Sequence, residues 1–226
     1  MTPEERGQPV RLDRERILDA AAEIVGTEGL PALTMRRIGA ELGADPTAVY
    51  RHFRNKQEML TELANRLFAT EAELDPDASW QDRLRAHAWH ALLRYRNHLD
   101  LGLLLAGQSD DLPSLVGVRE RSLELLVDAG LSIDQAALFS QVIENHVVGC
   151  GLFFAVSGWN SCPPHESLEA MRRFYAMLPA DTAPLVREAA PYLCPEPDDV
   201  YAYTTDLLIA AIERIAAAEG EEVAPA

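Results

Sequence analysis

The sequence predicts an all-α protein with a small N-terminal helical unit followed by a larger C-terminal helical bundle. Three observations predict it. Helical periodicity recurs along most of the 226 residues, and strand-like alternation is missing. Capping residues and breakers cut that periodicity into helix-length segments. Hydrophobic residues at 48% and charged residues at 25% describe a globular chain with enough apolar mass for a sizeable core.

The elements follow in order. Ile17, Ala21, Ile24 and Val25 fall at i, i+4, i+7 and i+8, an apolar stripe on a first helix that Gly29 closes. Thr34 is the N-cap of a short second helix whose inner face is Ile38 and Leu42 and whose stop is Gly43. Asp45 followed by Pro46 starts a third helix over 46–54: a capping carboxylate, then a proline where no N–H is needed. Asn55 with Glu58 reads as a capping box that opens a fourth helix near Lys56. These four make a first domain over 11–70. The stretch "ELDPDASW" (73–80) is the junction to a second domain over 76–219. Its helical segments are expected at 79–97, 114–129, 134–157, 165–178 and 199–219, with turn-rich stretches between them and a frayed end.

Charge is unevenly spread over a formal net of −16. Residues 1–70 carry ten Lys/Arg against eleven Asp/Glu, and residues 71–226 carry ten against twenty-five. Within 34–56 the balance turns positive: Arg36, Arg37, Arg51, Arg54 and Lys56 stand against Glu41 and Asp45. A basic patch beside an acidic body fits one face for a polyanion. No apolar run approaches the length of a membrane span, and the N-terminus lacks the apolar core of a secretory leader. Cys150, Cys162 and Cys194 are odd in number and have no CxxC spacing, so neither a disulfide framework nor a zinc site is expected. The chain reads as cytoplasmic, with no membrane partner.

On a helix over 46–54, Val49 and Phe53 face inward while Thr47, Tyr50, Arg51 and Arg54 share the outer face. A hydroxyl, a phenol and two guanidinium groups can hydrogen-bond base edges or hold phosphate oxygens. The preceding helix, joined by a tight Gly-containing turn, supplies Arg36 and Arg37. That arrangement is a helix-turn-helix, with double-stranded DNA as its partner.

The stretch "LTMRRIGAELGADPTAVYRHFRNKQEML" resembles the DNA-binding domain of the tetracycline-repressor (TetR) family of transcriptional regulators. The Thr34 start, the Leu42-Gly43 turn, the Tyr50-x-His52-Phe53 block and Lys56 carry the resemblance. It implies that Arg36, Pro46, Thr47, Ala48, Tyr50, Arg51 and His52 approach an inverted-repeat operator. It also implies that Lys56, the chain's only lysine, binds phosphate at the start of the fourth helix. Asp45 stands where the family more usually has Ser. More loosely, "SWQDRLRAHAWHALLRY", "GLSIDQAALFSQVIENHVVGCGLF" and "TTDLLIAAIERI" are similar to the family's regulatory domain, which binds a small molecule and forms the dimer. Asn145 and Phe153 fall where tetracycline repressors place a drug-binding His and an acidic residue, so magnesium-tetracycline is not the expected effector.

In the second domain, large apolar residues interleave with isolated polar ones over 84–105 and 139–159. Trp89, Tyr95, Asn145, His146 and Phe153 are the expected lining of an effector site. The acidic body favours a neutral or cationic effector over an anionic one. In the last helix Leu207, Leu208, Ala211, Ile212 and Ile215 form a broad apolar stripe that a second copy would cover, giving a homodimer. His87, Trp89 and His90 lack a third ligand for a metal, and Cys150 reads as apolar filling. Asp110 and Asp111 read as solvated turn residues. No glycine-rich phosphate loop, nucleophile elbow or metalloprotease signature is present, so no catalytic residue, metal or cofactor is expected. A ligand-responsive repressor is the reading favoured. The competing one is a helical small-molecule-binding protein or enzyme whose basic N-terminal unit is incidental.

Overall fold

A computed structural model describes residues 12–70, 72–98, 100–102, 113–156 and 165–222. Among these, every regular element is a helix. Cys162, Asp110 and Asp111 lie outside the described residues. The chain falls into two compact units, Met1–Ala69 with Asp100–Leu115 and Thr70–Leu99 with Val116–Ala226.

The first unit starts with α1 (Arg14–Glu28), whose cap Asp13 accepts from the Arg16 N–H at 2.9 Å. Its stripe is buried as the spacing requires: Ile17, Ala21 and Ile24 are in the core. Thr34 caps α2 (Met35–Glu41) by accepting from the Arg37 N–H at 3.0 Å. The helix closes in a Schellman turn. The Ala44 N–H donates to the Gly39 carbonyl at 2.8 Å and the Gly43 N–H to the Ala40 carbonyl at 3.3 Å, with Gly43 at φ +61°. Asp45 caps α3 (Pro46–Tyr50), and Asn55 caps α4 (Lys56–Phe68). Ile38, Val49, Phe53, Met59, Leu63 and Phe68 complete this core.

The third helix is shorter than expected. It ends at Tyr50 rather than 54, because the His52 and Phe53 N–H groups both turn back to the Val49 carbonyl at 3.0 and 3.1 Å. That tightening carries Phe53 into the core, and Asn55 starts α4 directly afterwards.

The second unit contains α5 (Trp80–Asn97), most of α6 (Pro113–Asp128), α7 (Ile133–Val156), α8 (His165–Ala176), α9 (Pro184–Ala189) and α10 (Pro197–Glu222). All but α9 match the expected segments to within three residues. The sequence reading missed α9, a single-turn element with Pro184 at its first position. Leu84, Leu92, Leu126, Ile143, Val147, Phe154, Tyr201, Ile209 and Ile212 form one core. A side chain added at Gly151 on α7 would put its Cβ 2.7 Å from Tyr95 Cβ on α5, so that glycine sets how closely the two helices pack. The Tyr201 hydroxyl donates to the Ala88 carbonyl at 2.7 Å and ties α10 to α5.

By length and composition alone Ile133–Phe154 could cross a membrane, but it is not an unbroken apolar run, and its Ala136, Ile143, Val147 and Phe154 pack into the bundle core. One expectation is corrected: the stripe assigned to a partner subunit is out of phase. Ile212 is fully buried in the chain's own core and Leu208 and Ile215 pack against it, while Leu207 is 53% exposed. The phase is set upstream: Tyr201, Thr205, Ile209 and Ile212 recur at i, i+4, i+8 and i+11 and are the buried side.

Candidate nucleic-acid interface

Two short helices and the turn between them build the candidate interface. Gly39 is buried in α2, and an added Cβ there would lie 2.9 Å from the Ala44 carbonyl oxygen and 3.3 Å from the Pro46 nitrogen. The absence of a side chain lets the chain fold back at once, so α3 starts against α2. Asp45 then accepts from both the Thr47 amide (2.8 Å) and the Thr47 hydroxyl (2.6 Å). Those bonds, the hydroxyl's first, hold the Asp45 carboxyl below its usual range, so it is a capping anion at neutral pH.

With Val49 and Phe53 buried, Thr47, Tyr50 and Arg51 project into solvent, and Tyr50 is 53% exposed although it is a large aromatic. Arg36 on α2 is exposed and makes no ion pair with another described residue. Pro46, Ala48, His52 and Lys56 are half-buried around this face. The eight residues named from the sequence thus all lie on α2, on α3 and the turn after it, or at the first position of α4. Arg37 is placed differently. Its guanidinium is held by Glu28 at 2.6 Å and Glu41 at 2.7 Å, which raises its pKa further and commits it to joining α1 to α2.

One residue the sequence reading passed over is central to this geometry. The Arg14 guanidinium reaches from α1 to donate to the His52 carbonyl and to both Glu58 and Glu62 on α4. Its carbon lies 4.2 Å from the centroid of the Phe53 ring. Glu58 in turn accepts from the Arg54 N–H at 2.8 Å and donates its own N–H to the Asn55 side chain at 2.8 Å. The capping box is therefore shifted by one residue, with Glu58 satisfying Arg54 rather than Asn55. These partners stand 38 to 48 residues from Arg14, so no local spacing could reveal them.

The five residues expected at an effector site divide into two groups. His146 stacks on Tyr201 with centroids 4.8 Å apart, and Trp89 meets the same tyrosine at 5.8 Å. Tyr95 packs against α7 at Gly151. His146 Nε2 is buried with no hydrogen-bond partner among the described residues, and its Nδ1 lies 3.6 Å from Cys150 Sγ. Burial lowers the His146 pKa, which favours the neutral ring. Asn145 instead faces outward, where it accepts from Gln141 at 3.0 Å, and Phe153 is 55% exposed. Tyr201, buried at the centre of the cluster, was not foreseen as one of this group. The periodicity Tyr201, Thr205, Ile209, Ile212 was the available signal. An open cleft of about 420 Å³ adjoins it, lined by Trp89, Tyr201, Ala86, Thr205 and the charged Arg85 and Asp206.

Two family profiles match the chain: bacterial regulatory proteins of the tetR family over residues 17–63, and the tetracyclin repressor-like C-terminal domain over residues 73–215. This chain belongs to the tetracycline-repressor family. Among its family relatives, the HTH-type transcriptional repressor DrrR1 of Streptomyces coeruleorubidus is 34% identical over 149 residues, which cover 64% of this chain and 54% of that one. The class D tetracycline repressor of Escherichia coli is 38% identical over 93 residues, 38% of this chain and 43% of that one. The matches thus span about half the length of these curated relatives. Among solved structures, the transcriptional regulator SCO7222 from Streptomyces coelicolor superposes with a TM-score of 0.76 at 22% identity, covering 90% of this chain and 99% of that one. ActR from the same organism, in complex with (S)-DNPA, superposes at 0.71 and 23% identity, covering 92% and 100%. At those identities the likeness establishes that this family member shares their fold.

Proposed function

We propose that this tetracycline-repressor-family chain is a DNA-binding transcriptional repressor, acting in the cytoplasm as a homodimer and released from an inverted-repeat operator by a small molecule. The observation that carries the reading is the solvent face Thr47, Tyr50 and Arg51. It is held out by the buried Val49 and Phe53 on a helix fixed by the Gly43 turn and the Asp45 cap. In this reading the Arg51 guanidinium and the Tyr50 hydroxyl meet base edges in the major groove. Arg36 and Lys56 meet phosphates, and Pro46, Ala48 and His52 line the approach. A two-fold dimer places one such helix in each half-site.

The dimer reading is carried by the outer faces of two long helices. Leu138, Val142, Leu152 and Phe153 on α7 and Val200, Tyr203 and Leu207 on α10 are exposed apolar residues. A second copy would remove them from water. The effector reading is carried by the Trp89–Tyr201–His146 cluster and the buried, unpartnered His146 Nε2, a polar group that a ligand could satisfy. A neutral or cationic effector suits the acidic second domain. It would act by binding more tightly to a form in which the two reading helices no longer match the operator spacing.

The test is selection of duplexes from a random pool by the full chain, followed by footprinting and sedimentation. Recovery of a near-palindromic site protected in two half-sites, by a dimer, is expected. Recovery of unrelated sequences with no protected half-sites overturns the proposal.

A further inference from the structure

Arg14 lies outside the face that meets DNA in the reading above, yet its bonds converge on the backbone that ends that face. Residues 51–55 are the hinge between the third and fourth helices, and hydrogen bonds pin this hinge at both ends. Arg14 takes the His52 carbonyl, and Glu58, itself bonded to Arg14 at 3.3 Å, takes the Arg54 N–H at 2.8 Å. The same guanidinium makes a two-nitrogen fork to Glu62 and lies over the Phe53 ring, the side chain that anchors the hinge in the core. A planar fork can satisfy all of these partners at once. An ammonium, compact and without a fixed plane, cannot.

We propose that Arg14 is a positioning residue for operator recognition. Its guanidinium fixes the angle between the base-reading helix and the start of the fourth helix, so that Tyr50 and Arg51 meet bases while Lys56 meets phosphate. It does so through His52, Phe53, Glu58 and Glu62, with its donors committed to them. The inference rests on the DNA-binding reading above. What it adds is that sequence selectivity, rather than overall attraction to DNA, depends on a residue of the first helix.

Two duplexes separate the possibilities: an operator recovered by selection with the wild-type chain, and a scrambled duplex of the same composition. Each is titrated over a range of salt with wild type, Arg14→Ala, Arg14→Lys and Glu62→Gln, with circular dichroism confirming that each variant is folded. The expected result for Arg14→Ala is a loss of roughly tenfold or more in the ratio of operator to scrambled affinity. Its scrambled-duplex affinity should stay within about twofold of wild type, with an unchanged salt slope. Arg14→Lys should lose most of the same selectivity although it keeps the charge, and Glu62→Gln should lose part of it, which covers the case of an unfolded Arg14→Ala.

Equal losses on both duplexes, with the salt slope falling by about one ion in Arg14→Ala and kept in Arg14→Lys, would make Arg14 a phosphate contact and overturn the proposal. Equal losses with an unchanged slope would reduce it to a stability residue and overturn it as well. Unchanged selectivity in all variants refutes it while leaving the DNA reading intact. If the wild type itself fails to prefer any selected duplex, the DNA reading falls and takes this inference with it.

Discussion

In the second unit arginine joins helix to helix. Arg83 pairs with Asp128, Arg85 with Asp206, Arg96 with Asp198 and Arg119 with Glu144, and each pair links two different helices. The first unit uses Arg14, Arg37 and Arg66 in the same way but leaves Arg36 and Arg51 exposed along the α2–α3 face. Arg36 and Arg51, which make no ion pair with another described residue, thus stay available on α2 and in the turn that follows Tyr50. What the difference teaches is where a lost side chain will be felt. Changes in the second unit should register as stability or association, and changes on the α2–α3 face as binding.

The largest expected effect tests that division on a single helix. Ile212 is fully buried and Leu207 is 53% exposed, five residues apart on α10. Ile212→Asp puts an unpaired charge into the core and should cost at least about 4 kcal/mol of stability, enough to unfold the unit in mild urea. Leu207→Asp should change subunit stability by less than about 1 kcal/mol and instead shift sedimentation toward monomer. Equal urea midpoints for the two variants would mean that the buried and exposed sides of α10 have been interchanged.

Acid should also act on the second unit. His87 is 6% exposed, and burial, helped by the positive charge of Arg94, His90 and Arg121, pushes its pKa down to about 4 from 6.5. A folded-state pKa below the unfolded one means that the unfolded chain binds the proton more readily. The contribution of neutral His87 is therefore complete above pH 6.5 and is lost as pH falls from there through 4. The loss amounts to about 3 kcal/mol at its limit. His87→Gln should flatten that part of the urea-midpoint profile between pH 7.5 and 4.5. If wild type and variant lose stability in parallel over this range, His87 is not the group that titrates.

On the other side of the comparison, Arg51→Ala should cost about 1–3 kcal/mol on a selected operator. Lys56→Ala should weaken all duplexes alike and reduce the salt slope by about one ion. Both should leave the unfolding free energy from urea titration within about 0.5 kcal/mol of wild type, since neither side chain is in the core. An effector titration by gel shift with His146→Ala and Phe153→Ala sharpens the same division. The half-buried His146, stacked on Tyr201, should alter release, and the exposed Phe153 should alter association instead.

These assignments also show what the sequence made legible. Asp13, Thr34, Asp45 and Asn55 cap the helices of the first unit, each through a bond no more than three residues long, and such signals can be read locally. The outward face of α3 followed, because Val49 and Phe53 leave one orientation for a short helix. Its length did not, since the core draws Phe53 in before the helical pattern runs out. The phase of α10 was hidden for a different reason. Residues 207–212 are apolar throughout, so no polar side marks solvent, and only Tyr201 and Thr205 upstream carry the phase. The partners of Arg14, and Glu28 as a partner of Arg37, lie 9 to 48 residues away, where only the tertiary fold brings them together.

The smallest expected effect is the most direct check on the comparison. Arg85 pairs with Asp206 across α5 and α10 at 2.8 Å, and also with Asp82 on its own helix at 2.9 Å. Its side chain is 44% exposed, so water already screens the attraction, and holding a long side chain in one geometry offsets part of what remains. Arg85→Ala should therefore cost no more than about 0.5–1 kcal/mol, and high salt should shrink the difference further. The change also leaves Asp82 and Asp206 without their cation in a domain already rich in carboxylates. Measured urea midpoints at low and high salt should converge for wild type and variant, with operator affinity unaltered throughout. A loss of several kcal/mol that persists in high salt would show that Arg85 holds the two helices by packing rather than by charge. A loss of operator affinity with no loss of stability would break the division between the two units altogether.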